Sequence, residues 1–228
     1  MTLTLHYAPD NASLIVRLAL EELDLPYETQ LVDRAIRAQE GAEYRAINPH
    51  GLIPALETPD GAIFETGAIL TWLEGRAPGR LAPLPDDPRR GDYLKWLFFI
   101  SNTLQPTARM IFYPEKYCPG HGADLRAHMC AEMVQHLARV EAAVEGPFFG
   151  GDAPSCIDLY LPPLLRWCAL YPSGDTDWFD PARFPALMQL CRAIEARPAA
   201  LRAAAAEGLG PAPFSAPAPP NPPEGSAT

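Results

Sequence analysis

Two stretches of the sequence hold groups that can grip a small ligand through the backbone. In the first, Pro54 stands between a turn and a strand, where a cis peptide is typically placed, and a cis bond there exposes the backbone groups of Ile53. An extended peptide can pair with them. In the second, Thr66 has N-cap chemistry and Gly67 leaves the first helical amides uncovered, so a carboxylate can sit at this positive helix end. Metal and disulfide chemistry find less support. The five cysteines, Cys118, Cys130, Cys156, Cys168 and Cys191, are odd in number, widely spaced and without a Cys-x-x-Cys pair, so reduced thiols are expected. Cys118 and His121 resemble half of a metal site with no second half at ligand spacing, and no metal is expected. Ser155 and Asp158 have the spacing of a capping box, which assigns them to folding rather than to acid-base work.

The elements that must position these groups are legible in outline. Leu3 to Tyr7 alternates as a strand, Ala8-Pro9-Asp10-Asn11 supplies a turn, and Leu14, Ile15, Leu18, Ala19 and Leu23 lie on one helical face that Pro26 ends. Tyr27 to Val32 reads as a second strand. After a polar crossover and the Asn48-Pro49-His50-Gly51 turn, Pro54 to Thr58 and Ala62 to Phe64 flank Pro59-Asp60-Gly61 as a hairpin, and a helix follows from Thr66. Residues 1–76 therefore form a βαβ-ββα unit. A proline-rich linker covers 77–87, and beyond it strand signals disappear. Residues 88–208 read as an all-helical domain, with stripes such as Leu125, Met129, Met133, Leu137 and Val140, and a kink expected at Pro106. The stretch 209–228 holds seven prolines and almost no large apolar side chain, and is expected to be a disordered tail.

Composition narrows the classes of partner. A chain of 228 residues with 48% hydrophobic and 20% charged residues can bury a real core. Its formal charge of -10 repels a phosphate backbone or an anionic bilayer, so neither nucleic acid nor membrane is expected as a partner. No apolar run reaches membrane-spanning length and the first residues carry no basic leader, which points to a cytoplasmic protein.

Three local patterns carry a resemblance. Asn48-Pro49-His50-Gly51-Leu52-Ile53-Pro54-Ala55-Leu56 is similar to an Asn-Pro-x-Gly-x-Val-Pro-Ala-Leu segment, Phe64-Glu65-Thr66-Gly67-Ala68-Ile69 to Glu-Ser-x-Ala-Ile, and Gly151-Asp152-Ala153-Pro154-Ser155-Cys156-Ile157-Asp158 to Gly-x-x-x-Ser-x-Ala-Asp. In that order and at those separations they resemble the glutathione S-transferase family, over roughly residues 3–205. The resemblance implies an α/β N-terminal thioredoxin-like domain followed by an all-α C-terminal domain, with glutathione as co-substrate. It places the cysteinyl moiety of glutathione antiparallel on Ile53 and Pro54, the γ-glutamyl carboxylate at Thr66, and the ligand ammonium at Glu65. Leu52 stands where many relatives hold a basic or amide residue for the glycyl carboxylate, a role left to His50 or to a partner subunit. A cytoplasmic homodimer acting in detoxification is implied as well.

A transferase must hold the bound thiol as thiolate, which calls for a hydroxyl or amide donor near a helix N-terminus. Three residues meet that description. Where bacterial beta-type relatives carry Ala-Cys-Ser, this chain has Asn11-Ala12-Ser13, so Ala12 replaces the reactive cysteine and Ser13 keeps the serine. Asn11 falls where serine-type relatives hold their serine, and Tyr7 is similar to the tyrosine of tyrosine-type relatives. For the electrophile, Trp96, Arg109 and Tyr113 supply aromatic area with one cation, suited to an apolar or planar acceptor. The leading function is conjugation of glutathione to an electrophilic small molecule. A glutathione-dependent isomerase and a non-catalytic binding module on the same fold are the alternatives.

Overall fold

The computed structural model describes residues 2–227, which divide into two units. One unit comprises the chain up to Pro85, the stretch Ala196–Pro213 and the residues from Ala218 on; the other comprises Asp86–Glu195 and Phe214–Pro217.

In the first unit, strands β1 (Leu3–Tyr7), β2 (Tyr27–Leu31), β3 (Ala55–Thr58) and β4 (Gly61–Phe64) form one sheet in the order β2-β1-β3-β4. The outer strand β2 runs parallel to β1, whereas β3 is antiparallel to both β1 and β4. Helix α1 (Ser13–Glu22) buries Leu14, Ile15, Leu18 and Leu20 completely, and each such side chain contributes about 1.5 to 3 kcal/mol. That burial holds the helix, since its N-cap is Ala12, which has no capping side chain. Helix α2 (Ala42–Ile47) contributes Tyr44, which packs with Val32 and Ala55, and α3 (Thr66–Arg76) packs beside α1.

The second unit is built from helices, with one isolated antiparallel bridge between Phe148 and Gly151. Helix α4 (Arg90–Phe99) passes through a π-helical turn (Ile100–Leu104) into α5 (Gln105–Phe112), followed by α6 (Pro114–Tyr117) and α7 (Gly122–Glu141). The π turn comes just before Pro106, whose missing amide cannot bond the carbonyl four residues back, so the expected kink takes this form. Helix α8 (Cys156–Leu170) is buried from Cys156 to Cys168 and is the centre of this unit, with α9 (Pro185–Glu195) packed on it. The capping box forms at its start, where the Asp158 carboxylate accepts from the Ser155 amide at 2.8 Å. No helix among the described residues is long and apolar enough to cross a membrane.

Two boundaries differ from the sequence expectation. Helix α10 (Pro198–Glu207), read as part of the 88–208 domain, groups with the first unit. Its ion pairs explain why: Arg197 meets Glu22, Arg202 meets Glu21, and Glu207 meets Arg17, all partners on α1. The 209–228 tail, expected to be disordered, is ordered through Ala227, and Thr228 lies outside the described residues. Leu209 and Phe214 are each 1% exposed, and the Glu195 carboxylate accepts from the Phe214 and Ser215 amides at 3.2 and 3.0 Å. Seven prolines also lower the entropy that ordering this stretch must overcome. Its two large apolar residues are thus both anchors.

Candidate functional site

The sheet register brings the candidate positions of the first unit into one row. His6 pairs with Ala55, and Ala55 pairs with Phe64 on its other side. One step beyond that row stand Tyr7 at the end of β1, Pro54 before β3 and Glu65 after β4. On the far side of β1, Tyr7 pairs with Leu31. Four strand ends therefore meet along a single edge of the sheet.

Ile53-Pro54 is a cis peptide bond, and with β3 starting at Ala55, Ile53 lies past the last paired residue. The segment before it is fixed from α2. Tyr44 Oη and Asn48 Nδ2 each donate to the Leu52 carbonyl at 2.7 Å, and Asn48 Oδ1 accepts from the His50 amide at 3.1 Å. Gly51 has φ +62°, and a Cβ there would lie 2.7 Å from the Gln39 carbonyl oxygen, so the turn needs glycine. Leu52 is 38% exposed, and His50 leans edge-on against Phe64 with ring centroids 5.5 Å apart.

Thr66 was expected as an N-cap; it is instead the first residue of α3, and Glu65 takes the cap position. The cause is the Glu65 carbonyl, which accepts the first helical bond from the Ile69 amide at 2.9 Å. Glu65 adopts φ 73° and ψ 115°, a strained conformation for a residue with a Cβ, typically costing about 1 to 3 kcal/mol. Thr66 is buried while Glu65 is exposed, so a buried hydroxyl and an exposed carboxylate flank the amides that open α3.

The three thiol-activating candidates fall in different surroundings. Ser13 is fully buried, and its hydroxyl donates to the Ala8 carbonyl at 3.0 Å and accepts from the Ala8 amide at 3.3 Å. Asn11 is half-buried, and its Oδ1 accepts from the Ala12 amide at 2.9 Å. Tyr7 is buried at the ring and donates its hydroxyl proton to Glu224 Oε1 at 2.5 Å. Burial and the Glu224 carboxylate push its phenol well above the ordinary range, so it stays neutral.

Sequence reasoning missed the network behind this turn. Glu207, fully buried on α10, accepts from the Asp10 amide and from Arg17 Nε, both at 2.8 Å. Arg17 also stands over the Tyr7 ring, 4.7 Å from its centroid, and donates to Tyr27 Oη at 3.3 Å. Asp10, held at φ 50°, is fastened by the same carboxylate. The partners lie 190 or more residues apart in sequence, so no local pattern announces them.

In the second unit, Trp96 makes edge-on contacts with Phe99 and Phe149, at centroid distances of 5.6 and 5.4 Å. Arg109 Nε donates to Tyr117 Oη at 2.9 Å, and Lys116 sits 4.8 Å from the Tyr113 ring centre. Trp96 is thus placed with α4 and the loop before α8, and Arg109 and Tyr113 with the α5–α6 corner.

Comparison with known proteins agrees with this architecture. Residues 5–81 match the family model described as glutathione S-transferase, N-terminal domain. The Escherichia coli glutathione S-transferase GstA is 31% identical over 170 residues, covering 72% of this chain and 81% of that protein. A glutathione S-transferase from Xanthomonas campestris is 29% identical over 169 residues, covering 72% and 81%. Among solved structures, a glutathione transferase homolog from Sulfitobacter with bound glutathione superposes with a TM-score of 0.78 at 28% identity, covering 88% of this chain and 96% of that one. On the sheet topology, the helical second unit and these likenesses together, the chain belongs to the glutathione S-transferase family.

Proposed function

We propose that this protein is a glutathione transferase, joining the glutathione thiolate to an electrophilic small molecule. The observation that carries the reading is the row of strand ends in which Tyr7, Pro54 and Glu65 stand side by side. The backbone of Ile53 pairs with the cysteinyl unit of glutathione. The γ-glutamyl carboxylate sits on the first amides of α3 beside Thr66, where the helix dipole favours it. Its ammonium is met by Glu65, whose strained backbone turns the residue out at the sheet edge. His50 takes the glycyl end, in place of the basic residue that Leu52 does not provide.

Asn11 is the donor we assign to the thiolate. With its Oδ1 accepting from the Ala12 amide, the side chain keeps donor capacity at Nδ2, whereas the Ser13 hydroxyl is engaged with Ala8 and the Tyr7 proton with Glu224. For an apolar or planar electrophile we assign two separate groups of the helical unit, aromatic area at Trp96 and, at the α5–α6 corner, Tyr113 with Arg109. We extend the reading to a cytoplasmic homodimer that detoxifies electrophiles, on the strength of family membership. Titration calorimetry with glutathione tests the core of it: Thr66→Ala is expected to lose roughly 1 to 3 kcal/mol of binding while remaining folded. Absence of glutathione binding by the wild-type chain, or unchanged affinity in folded Thr66→Ala, would overturn the assignment.

A further inference from the structure

The C-terminal stretch, read from its composition as an unstructured tail, makes a specific contact with the sheet edge just described. It leaves α10 at Gly208, whose φ of +64° and close approach to the Asn221 carbonyl oxygen admit no side chain. The Asn221 amide donates back to the Gly208 carbonyl at 2.8 Å, which fixes the return path. Beyond it, Gly225 lies against Leu31 and Pro9, and Arg34 donates to the Ala227 carbonyl. Tyr7 and Leu31 close the carboxyl ends of the parallel pair β1 and β2, with Pro9 and Arg34 in the segments that follow them, the place where open α/β sheets bind ligands. Glu224 ends on the Tyr7 hydroxyl.

We infer that Glu224 is a positioning residue of the thiol site: seated, it withholds the Tyr7 proton from bound glutathione, and released, it frees Tyr7 to donate to the thiolate. The inference rests on the glutathione transferase reading above and adds to it a residue carried by the C-terminal stretch. A phenol has a single proton, so a hydroxyl that donates to a carboxylate cannot donate to sulfur at the same time. The carboxylate also brings negative charge to the neighbourhood in which a second anion must form, which opposes ionisation of the thiol. The charged groups facing Tyr7 are Glu224 from this stretch, Arg17 from α1 and Glu207 from α10; Arg17 and Glu207 pair with each other. Glu224 is the one whose partner is the phenol itself.

A double-mutant cycle on the full chain tests this, read by the thiolate absorbance of bound glutathione against pH, which needs binding but no turnover. Glu224→Ala is expected to lower the apparent pKa of the bound thiol by about half a unit to one unit, a roughly three- to tenfold gain in thiolate below that pKa. The same substitution in a Tyr7→Phe background is expected to give a much smaller shift, because no phenol is there to be released. Gly225→Ala provides a second route. The residue has φ +71°, and its added Cβ would meet Leu31 Cδ1 at 2.7 Å, so it unseats the stretch while keeping Glu224, and it should reproduce the Tyr7-dependent shift. Equal shifts with and without Tyr7, or no shift in either variant while calorimetry shows glutathione bound, would overturn the inference and leave the transferase reading standing. Failure of the wild-type chain to bind glutathione would overturn both.

Discussion

Removing the Asp158 carboxylate should weaken the fold by more than the loss of an ordinary helix cap. The side chain is fully buried, and it serves three donors rather than one: the Phe149 amide at 2.6 Å, and the Ser155 amide and hydroxyl at 2.8 Å each. Alanine leaves two backbone N–H groups without their acceptor in a dry site, each costing about 1 to 3 kcal/mol. Part of that loss is offset, because burial pushes the Asp158 carboxyl up and its removal relieves the desolvation. The expected net cost of Asp158→Ala is about 3 to 5 kcal/mol. Asparagine keeps one oxygen and turns an amide donor toward the groups that have lost theirs, so Asp158→Asn is expected to cost about half as much. Urea unfolding of both variants, followed by far-UV circular dichroism, gives these values from midpoints at constant slope. Turnover per folded molecule should match the wild type. A loss below about 1 kcal/mol for alanine at unchanged slope, or lost activity at wild-type stability, would refute the reasoning.

Three further outcomes follow from the first unit. Glu65→Gly is expected to leave stability unchanged or raise it by up to about 1 kcal/mol, since glycine tolerates φ 73°, yet to weaken glutathione binding about tenfold or more; thermal melts and calorimetry together check the split. Ser13→Ala is expected to cost about 1 to 2 kcal/mol by leaving the Ala8 amide and carbonyl unpaired, with the titration of bound thiol unmoved, whereas Asn11→Ala should raise the thiol pKa. Full burial pushes the Glu207 carboxyl from 4.5 up to about 7 against the pull of Arg17 and the Asp10 amide. Between those values the folded chain holds a proton that the unfolded chain has lost, so Glu207 stabilises fully below about pH 4.5 and its contribution falls as pH rises through 7. Urea midpoints are expected to fall as pH rises from 5 to 8, and that slope should be lost in Glu207→Gln.

The sequence and the structure agree where the determinants are local. The alternation of Leu3 to Tyr7, the Pro59-Asp60-Gly61 turn, the stripe on α1 and the Ser155–Asp158 spacing each encode their element within a few residues, and each formed where expected. The third donor to Asp158 was not legible, because Phe149 reaches it from a loop with no periodicity of its own. The same limit explains α10 and the stretch after it. An alanine-rich helix beginning at Pro198 shows that it is a helix but not where it docks, and its place is set by Glu207, Arg197 and Arg202 finding α1. The proline count pointed to disorder because composition weighs average burial, whereas two anchors, Leu209 and Phe214, sufficed. Of the proposed site, Pro54, Glu65 and Thr66 are named by motifs, but whether Ser13 or Tyr7 has a group to spare depends on Ala8 and Glu224, which only the folded chain brings near.

The discontinuous make-up of the first unit also has a consequence for how the protein is made. Vectorial synthesis delivers β1 and Arg17 first, yet the carboxylate that pairs with Arg17 and fastens the Asp10 amide comes 190 and 197 residues later. At ordinary ribosomal speeds that interval is on the order of ten seconds or more, during which the emerging sheet has a guanidinium destined for burial but no counter-charge. Most of the helical unit, Asp86–Glu195, is synthesised before α10 exists, and its remaining piece, Phe214–Pro217, follows α10. Both units therefore gain their full set of contacts only when the last part of the chain has been made. Early release, or a stall between residues 195 and 207, is expected to leave Arg17 and the Asp10 amide without their carboxylate, so a fault far along the sequence reaches the turn beside the proposed glutathione site.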